Sequence, residues 1–268
     1  MFTFLSALVS VVILASLFYL AHKRERHQEN KYLTVATLRE IVQLARQHRT
    51  ATHLSLLYKQ VHSNELRHVQ VEIINKCQIL IDIAPHDNKA LYRILLNQFQ
   101  SLFGTWCEQS IARNQLLHGK LIRHSLYLID ETTVAWLSEC ERDELIEEYH
   151  CHWQVVIENL DALTQLRIVI QEIHQPQGIE RFQFNAERVL RRLNQLSLVS
   201  PLTIASPFGS ELTRTLEAHA QGEMRKISKV AIYELTSQIS TIIFQCYDNM
   251  LDEMIESLYL PLPKLAIA

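Results

Sequence analysis

Five glycines and six prolines in 268 residues leave this chain very few places to turn sharply. Its elements must therefore be long and its connections few, which favours helices over strands. Hydrophobic residues at 48% and charged residues at 21% exclude a disordered chain and supply a sizeable core. No segment alternates apolar and polar residues long enough to argue a sheet. An all-α fold is expected, as long-helix bundles, with two bundles sharing long helices favoured over one.

The helical period is legible along most of the chain. Between Asn30 and Ser63, the residues Leu38, Ile41, Ala45, Thr52 and Leu56 recur every three or four positions and make one stripe. A second helix through Ile73 and Leu80 is ended by Pro85, and a third through Leu91, Leu95 and Phe99 runs to about Gly104. The pattern resumes through Ile111, Leu121 and Ile129. A fifth helix is predicted over about Cys140 to His174, and a sixth over about Glu180 to Leu198. Ser206 followed by Pro207 is an N-cap with proline in the first turn, and the helix it opens is predicted to bend at Gly222 and reach about Tyr259.

Phe2 to Ala21 contains no charge, glycine or proline, and about twenty apolar residues suffice to span a hydrocarbon core as a helix. A cleaved secretory signal is the competing reading. It wants a basic leader and a small-residue cleavage site, whereas here the apolar run passes straight into His22-Lys23-Arg24-Glu25-Arg26. The flanking Lys23, Arg24, Arg26 and Lys31 favour that side staying in the cytoplasm. The expected organisation is a transmembrane anchor with its basic flank over residues 1–27, and an all-helical domain over residues 28–268 on the cytoplasmic side. The five cysteines contain no CxxC and are odd in number. That fits a reducing compartment and mostly buried structural thiols.

Arg49 falls in the middle of the apolar stripe of its helix, where packing would prefer a leucine. Arg167 repeats this on the stripe formed by Tyr149, Trp153, Val156, Leu160, Leu163 and Thr164. A buried guanidinium needs a carboxylate, a route to the surface, or a bound anion. Its planar fork of donors suits planar oxyanions, which offer two acceptors at once. His118 shares a face with Ile111, Leu121 and Ile129 and reads as a hydrogen-bonded core histidine. Glu147 and His150 have a metal-like ExxH spacing, but no second ExxH exists, and His150 and His152 point to different sides of a helix. That segment reads as a solvated face with Cys151 inward, and no metal or cofactor is expected. Arg188, Arg191 and Arg192 lack interleaved aromatics and read as an exposed face. The net charge of −3 gives no reason to expect nucleic acid. A glycine-rich phosphate loop, HExxH and GxSxG are all missing, so no enzyme is expected.

The segment LREIVQLARQHRTATHLSL (Leu38 to Leu56) resembles the first helix of nitrate- and nitrite-sensing domains, which carries a pattern near Q-x-x-R-G-x-S. HGKLIRHSLYLIDET (His118 to Thr132) and LDALTQLRIVI (Leu160 to Ile170) resemble two later helices of that family and its relatives, in the family's order. Together the resemblances cover roughly residues 35 to 175 and put Arg49 and Arg167 on family arginines. The chain departs from the pattern at Thr50 and Gln165, which stand where the family has glycine, and at Thr52, which stands at its serine.

The resemblance implies two four-helix bundles that bind nitrate or nitrite through arginines, with Arg49 and Arg167 as clamps and Thr52 and His118 as ligand neighbours. It also implies a single-pass sensor of the bacterial inner membrane. No output domain is recognisable up to Ala268, so signal transduction is expected to pass to a protein partner; a homodimer is compatible with this. The alternative is a membrane-anchored interaction scaffold that kept the fold and lost the ligand. The topology is directly testable. A reporter fused after Ala268 should behave as cytoplasmic, and alkaline phosphatase activity from the same fusion would reverse the orientation.

Overall fold

The computed structural model describes residues 2–59, 63–222 and 228–258, with the side chains of Phe2, Thr3, Leu5, Ala7 and Ser63 outside that description. The described residues form α-helices and short 3₁₀ turns and contain no strand. The helices are α1 (Phe2–Tyr58), α2 (Ser63–Ile83), α3 (Lys89–Thr105), α4 (Ile111–Glu139), α5 (Asp143–Val169), α6 (Gly178–Val199), α7 (Pro201–Ile204), α8 (Pro207–Ala220) and α9 (Lys229–Glu256).

Packing sorts them into two groups. In the first, α1 lies against α2 and α4, with α3 closing against α2 and α4. In the second, α5 lies against α6 and α9, with α8 closing against both of those. The α4–α5 pair joins the groups, as do side-chain contacts of α1 with α9, among them Arg39 with Asp248 and Arg46 with Phe244. The close approach of α4 to α5 depends on Gly119. A Cβ there would stand 3.0 Å from Thr164 Cγ2, and Thr164 is pinned by its own hydroxyl bond to Leu160 O at 2.8 Å. The residues filling the interior include Phe99, Trp136, Tyr149, Phe182 and Tyr247, all essentially inaccessible.

The helix α1 crosses the expected boundary at residues 27 and 28 without a break. Near that point it is tied to the end of α4, through Lys31 Nζ to Glu139 at 2.7 Å and His27 Nε2 to the same carboxylate at 3.0 Å. Before that point the described apolar side chains are exposed. Val11, Val12, Ile13 and Leu14 are consecutive, hence on every side of the helix, and all are more than half exposed. Among the described residues no helix is long and apolar enough to cross a membrane. The expected span begins at Phe2, so part of it lies outside the described side chains.

Several sequence expectations need correction. The last helical stretch is not one bent helix. It breaks after Ala220, where Gly222 takes a positive φ of 74° that a side chain would resist, and α9 begins only at Lys229. Its expected end at Tyr259 lies outside the described residues. The fifth helix is shorter than expected, ending at Val169 with a 3₁₀ turn to Glu172. Cys151 faces solvent, since the buried residue of that turn is Tyr149. Of the five thiols only Cys77 and Cys246 are buried. The start at Ser206 is as expected: its hydroxyl accepts from Gly209 N at 3.0 Å, with Pro207 in the first turn.

Candidate functional site

Where α1, α5 and α9 meet, the interior is cationic. Arg49 on α1 is 6% exposed and Arg167 on α5 is 3% exposed. Among the described residues neither has a carboxylate within salt-bridge distance. Two other arginines of the chain are paired. Arg39, equally buried, meets Asp248 at 2.9 Å and Asp252 at 3.7 Å, and Arg123 meets Asp161 at 2.8 Å. The missing carboxylates at Arg49 and Arg167 are therefore local to this junction.

Burial lowers the Arg167 pKa well below its ordinary value, and the Arg49 charge lowers it further. Arg49 is likewise lowered by burial, partly offset by Tyr233. Arg46, one turn before Arg49, is lowered to about 9 by burial and by the Arg49 charge, with Asp248 opposing. Three guanidiniums thus share one field, and a guanidinium does not escape that cost by losing its proton at neutral pH. Arg167 is held by α9, its Nε donating to Thr236 Oγ1 at 3.1 Å and its Nη2 to Thr236 O at 2.8 Å. Arg49 Nε is buried with no hydrogen-bond partner. Arg49 also lines a cavity of about 570 Å³ between α1 and α9, together with Gln47, Thr50, Tyr58, Glu234 and Gln238. The cavity reaches the junction on its Arg49 side, and Arg167 is not among the residues that line it.

Thr52 and His118 lie next to the arginines, but their polar atoms are committed. The Thr52 hydroxyl donates to His48 O at 2.8 Å and Arg49 O at 3.1 Å, and accepts from Asn114 Nδ2 at 3.0 Å. His118 Nδ1 lies 2.8 Å from Asn114 O, which can only accept, so Nδ1 carries the proton. Its Nε2 lone pair then receives Nδ1–H of His48 at 2.8 Å, and the remaining His48 lone pair, on Nε2, receives Gln70 Nε2–H at 3.0 Å. All four ring nitrogens in this row are satisfied with both imidazoles neutral. These two residues support the cationic junction rather than offering it free donors.

His48 and His53 were not singled out from the sequence. The reason is that α1 is buried on more than one side where it lies between the bundles: His48, His53 and Ser55 are as inaccessible as the expected stripe, while Leu56 is only half-buried. A single-stripe reading credits one face only. One signal was available, since Ile41 through Tyr58 holds two arginines and two histidines but no Asp or Glu.

Compared with known proteins, the chain matches no family model, no curated protein and no solved structure.

The neutral histidine row makes a pH prediction. Burial pushes His48 down to about 4, below the unfolded value of 6.5. The unfolded chain then takes the proton first, so this stability is complete above about pH 6.5 and is lost as pH falls toward 4. Between about pH 7.5 and 4.5 the wild type should lose about 2 to 3 kcal/mol more than His48→Gln, read from urea midpoints. Equal losses in the two proteins would mean that His48 is not held neutral.

Proposed function

We propose that this chain is a membrane-anchored helical sensor module that binds a small oxyanion of the nitrate and nitrite class between its bundles. It is a binding protein rather than an enzyme. The observation that carries this reading is the Arg49–Arg167 junction: two buried guanidiniums brought together from different helices, with no carboxylate on either among the described residues. Leaving such charges uncompensated costs several kcal/mol. A planar oxyanion offsets that cost, because each of its edges can accept the paired donors of one guanidinium. Arg49 contributes a free buried Nε–H, and the cavity beside it gives the anion a path inward.

The anchor reading rests on the first turns of α1, apolar on every side and exposed. We place this segment, residues 2–21, in a bacterial inner membrane as a single-pass helix. Lys23, Arg24 and Arg26 follow it and favour a cytoplasmic domain. Ligand would act by shifting α1 against α5 and α9, as packed helices respond through small changes of contact. A protein partner would receive that shift. One observation favours the scaffold alternative: Thr236 already takes two of the Arg167 donors.

The two readings separate on melting. Nitrate or nitrite at a hundredfold excess over Kd should stabilise the full chain in detergent by about 2.7 kcal/mol. Chloride at matched ionic strength should do less, since it lacks paired acceptors. Arg49→Ala and Arg167→Ala should each remove the difference while the helical circular dichroism stays intact. A wild type that melts identically in all three salts would leave the scaffold.

A further inference from the structure

His53 stands one turn beyond Arg49 on α1, and the oxyanion reading gives it no part. It is 2% exposed, and its ring lies flat on that of Tyr233 from α9, with centroids 3.3 Å apart and planes within 4°. Its Nδ1 is buried without a hydrogen-bond partner. That is unlike His48 and His118, whose ring nitrogens are matched into a row. An imidazole locked in place by stacking, with one nitrogen unsatisfied, is set to make a bond the protein itself does not supply.

The groups facing His53 can be named element by element. Its own helix supplies Arg49, and α5 supplies Arg167; both repel a proton on the ring. Tyr233 comes from α9, with Arg167 Cζ 5.9 Å from the centre of the same tyrosine ring. From α4, His118 lies within the field of Arg49 and is already neutral in its row. The acids nearest the site, Glu234 of α9 and Glu65 of α2, line the cavity at Arg49, and the charges that act on His53 are those of the two arginines.

We propose that His53 is a third ligand-contacting residue of the oxyanion site, and that it takes up one proton when the anion binds. This rests on the oxyanion reading above. In the empty site burial, then Arg167, then Arg49 push His53 down to about 4. An anion between the arginines cancels the repulsion from both and gives a protonated Nδ1–H an acceptor, so the bound site holds the proton at higher pH than the empty one. Affinity then rises as pH falls through the bound-state titration of His53, by up to about tenfold per pH unit, and levels off below about 4. The site would bind an oxyanion and a proton together.

Nitrate is the suitable probe because it stays a monoanion throughout this range, so any pH dependence belongs to the protein. The experiment is titration calorimetry of the full chain in detergent micelles at about pH 7.5 and about pH 5, in buffers of different ionisation heat. Wild type should bind at least about threefold tighter at the lower pH, with buffer-dependent heats reporting proton uptake. His53→Phe keeps the flat stack on Tyr233 and removes both nitrogens; it should bind nitrate with neither pH dependence nor uptake. His53→Gln serves as the second variant if the phenylalanine disturbs folding, with the same expectation. Wild-type binding that is pH-independent and proton-neutral would overturn the role of His53 and leave the oxyanion reading intact. PH dependence that survives in both variants would assign the proton to another group and likewise overturn it. No nitrate binding at either pH would overturn the oxyanion reading, and the role of His53 with it.

Discussion

The account depends on the uncompensated charge where α1, α5 and α9 meet. Hydrophobic burial makes the helices pack, but it gives no reason for Arg49 and Arg167 to lie inside. Each costs several kcal/mol unless compensated, and neither can shed its proton near neutrality. The comparison that matters is internal. Arg39 is as deeply buried on the same helix, and it is met by Asp248 and Asp252 from α9. Among the described residues the fold thus pairs a buried arginine with carboxylates at one level of the α1–α9 contact, while at the next Glu234 and Glu65 line the cavity beside Arg49 without forming an ion pair with it. Such selective omission is what a site reserved for an external anion requires.

The surroundings keep that charge in place without neutralising it. Thr236 fixes the Arg167 guanidinium through its hydroxyl and carbonyl. The row from Gln70 through His48 and His118 to Asn114 lies beside Arg49 with both imidazole protons accounted for, so its histidines add no charge and no free donor. Arg46 lies with its Cζ 4.3 Å from the ring centre of Phe244 and adds a third cation to the field. From Ala21 to Arg49 the helix rises about 40 Å at about 1.5 Å per residue. If α1 is anchored as proposed, the same continuous helix carries both the anchor and one clamp of the site, so movement at one end need not cross a joint to reach the other.

The fold was legible in the sequence because helical periodicity and a shortage of turn formers both report on local structure. The start at Ser206, the stripe Leu38–Ile41–Ala45 and the placement of α2, α3, α4 and α6 follow from spacing and capping alone. The break after Ala220 was less legible, because a single glycine fits either a bend or a stop until its φ is known. The arginines stood out because each interrupts an apolar stripe. His48 and His53 did not, because a helix buried on several sides no longer shows one stripe, and a histidine off the main stripe looks like a surface residue. The resembled family has glycine where this chain has Thr50 and Gln165, and here the close approach falls at Gly119 against Thr164.

Crystallography of the chain grown with nitrate addresses the central claim most directly. The account predicts a planar, four-atom density between Arg49 and Arg167, with oxygens within hydrogen-bond distance of both guanidiniums and one near His53 Nδ1. A map in which Arg49 and Arg167 instead each close on a carboxylate of this chain, with no anion between them at saturating nitrate, would contradict it.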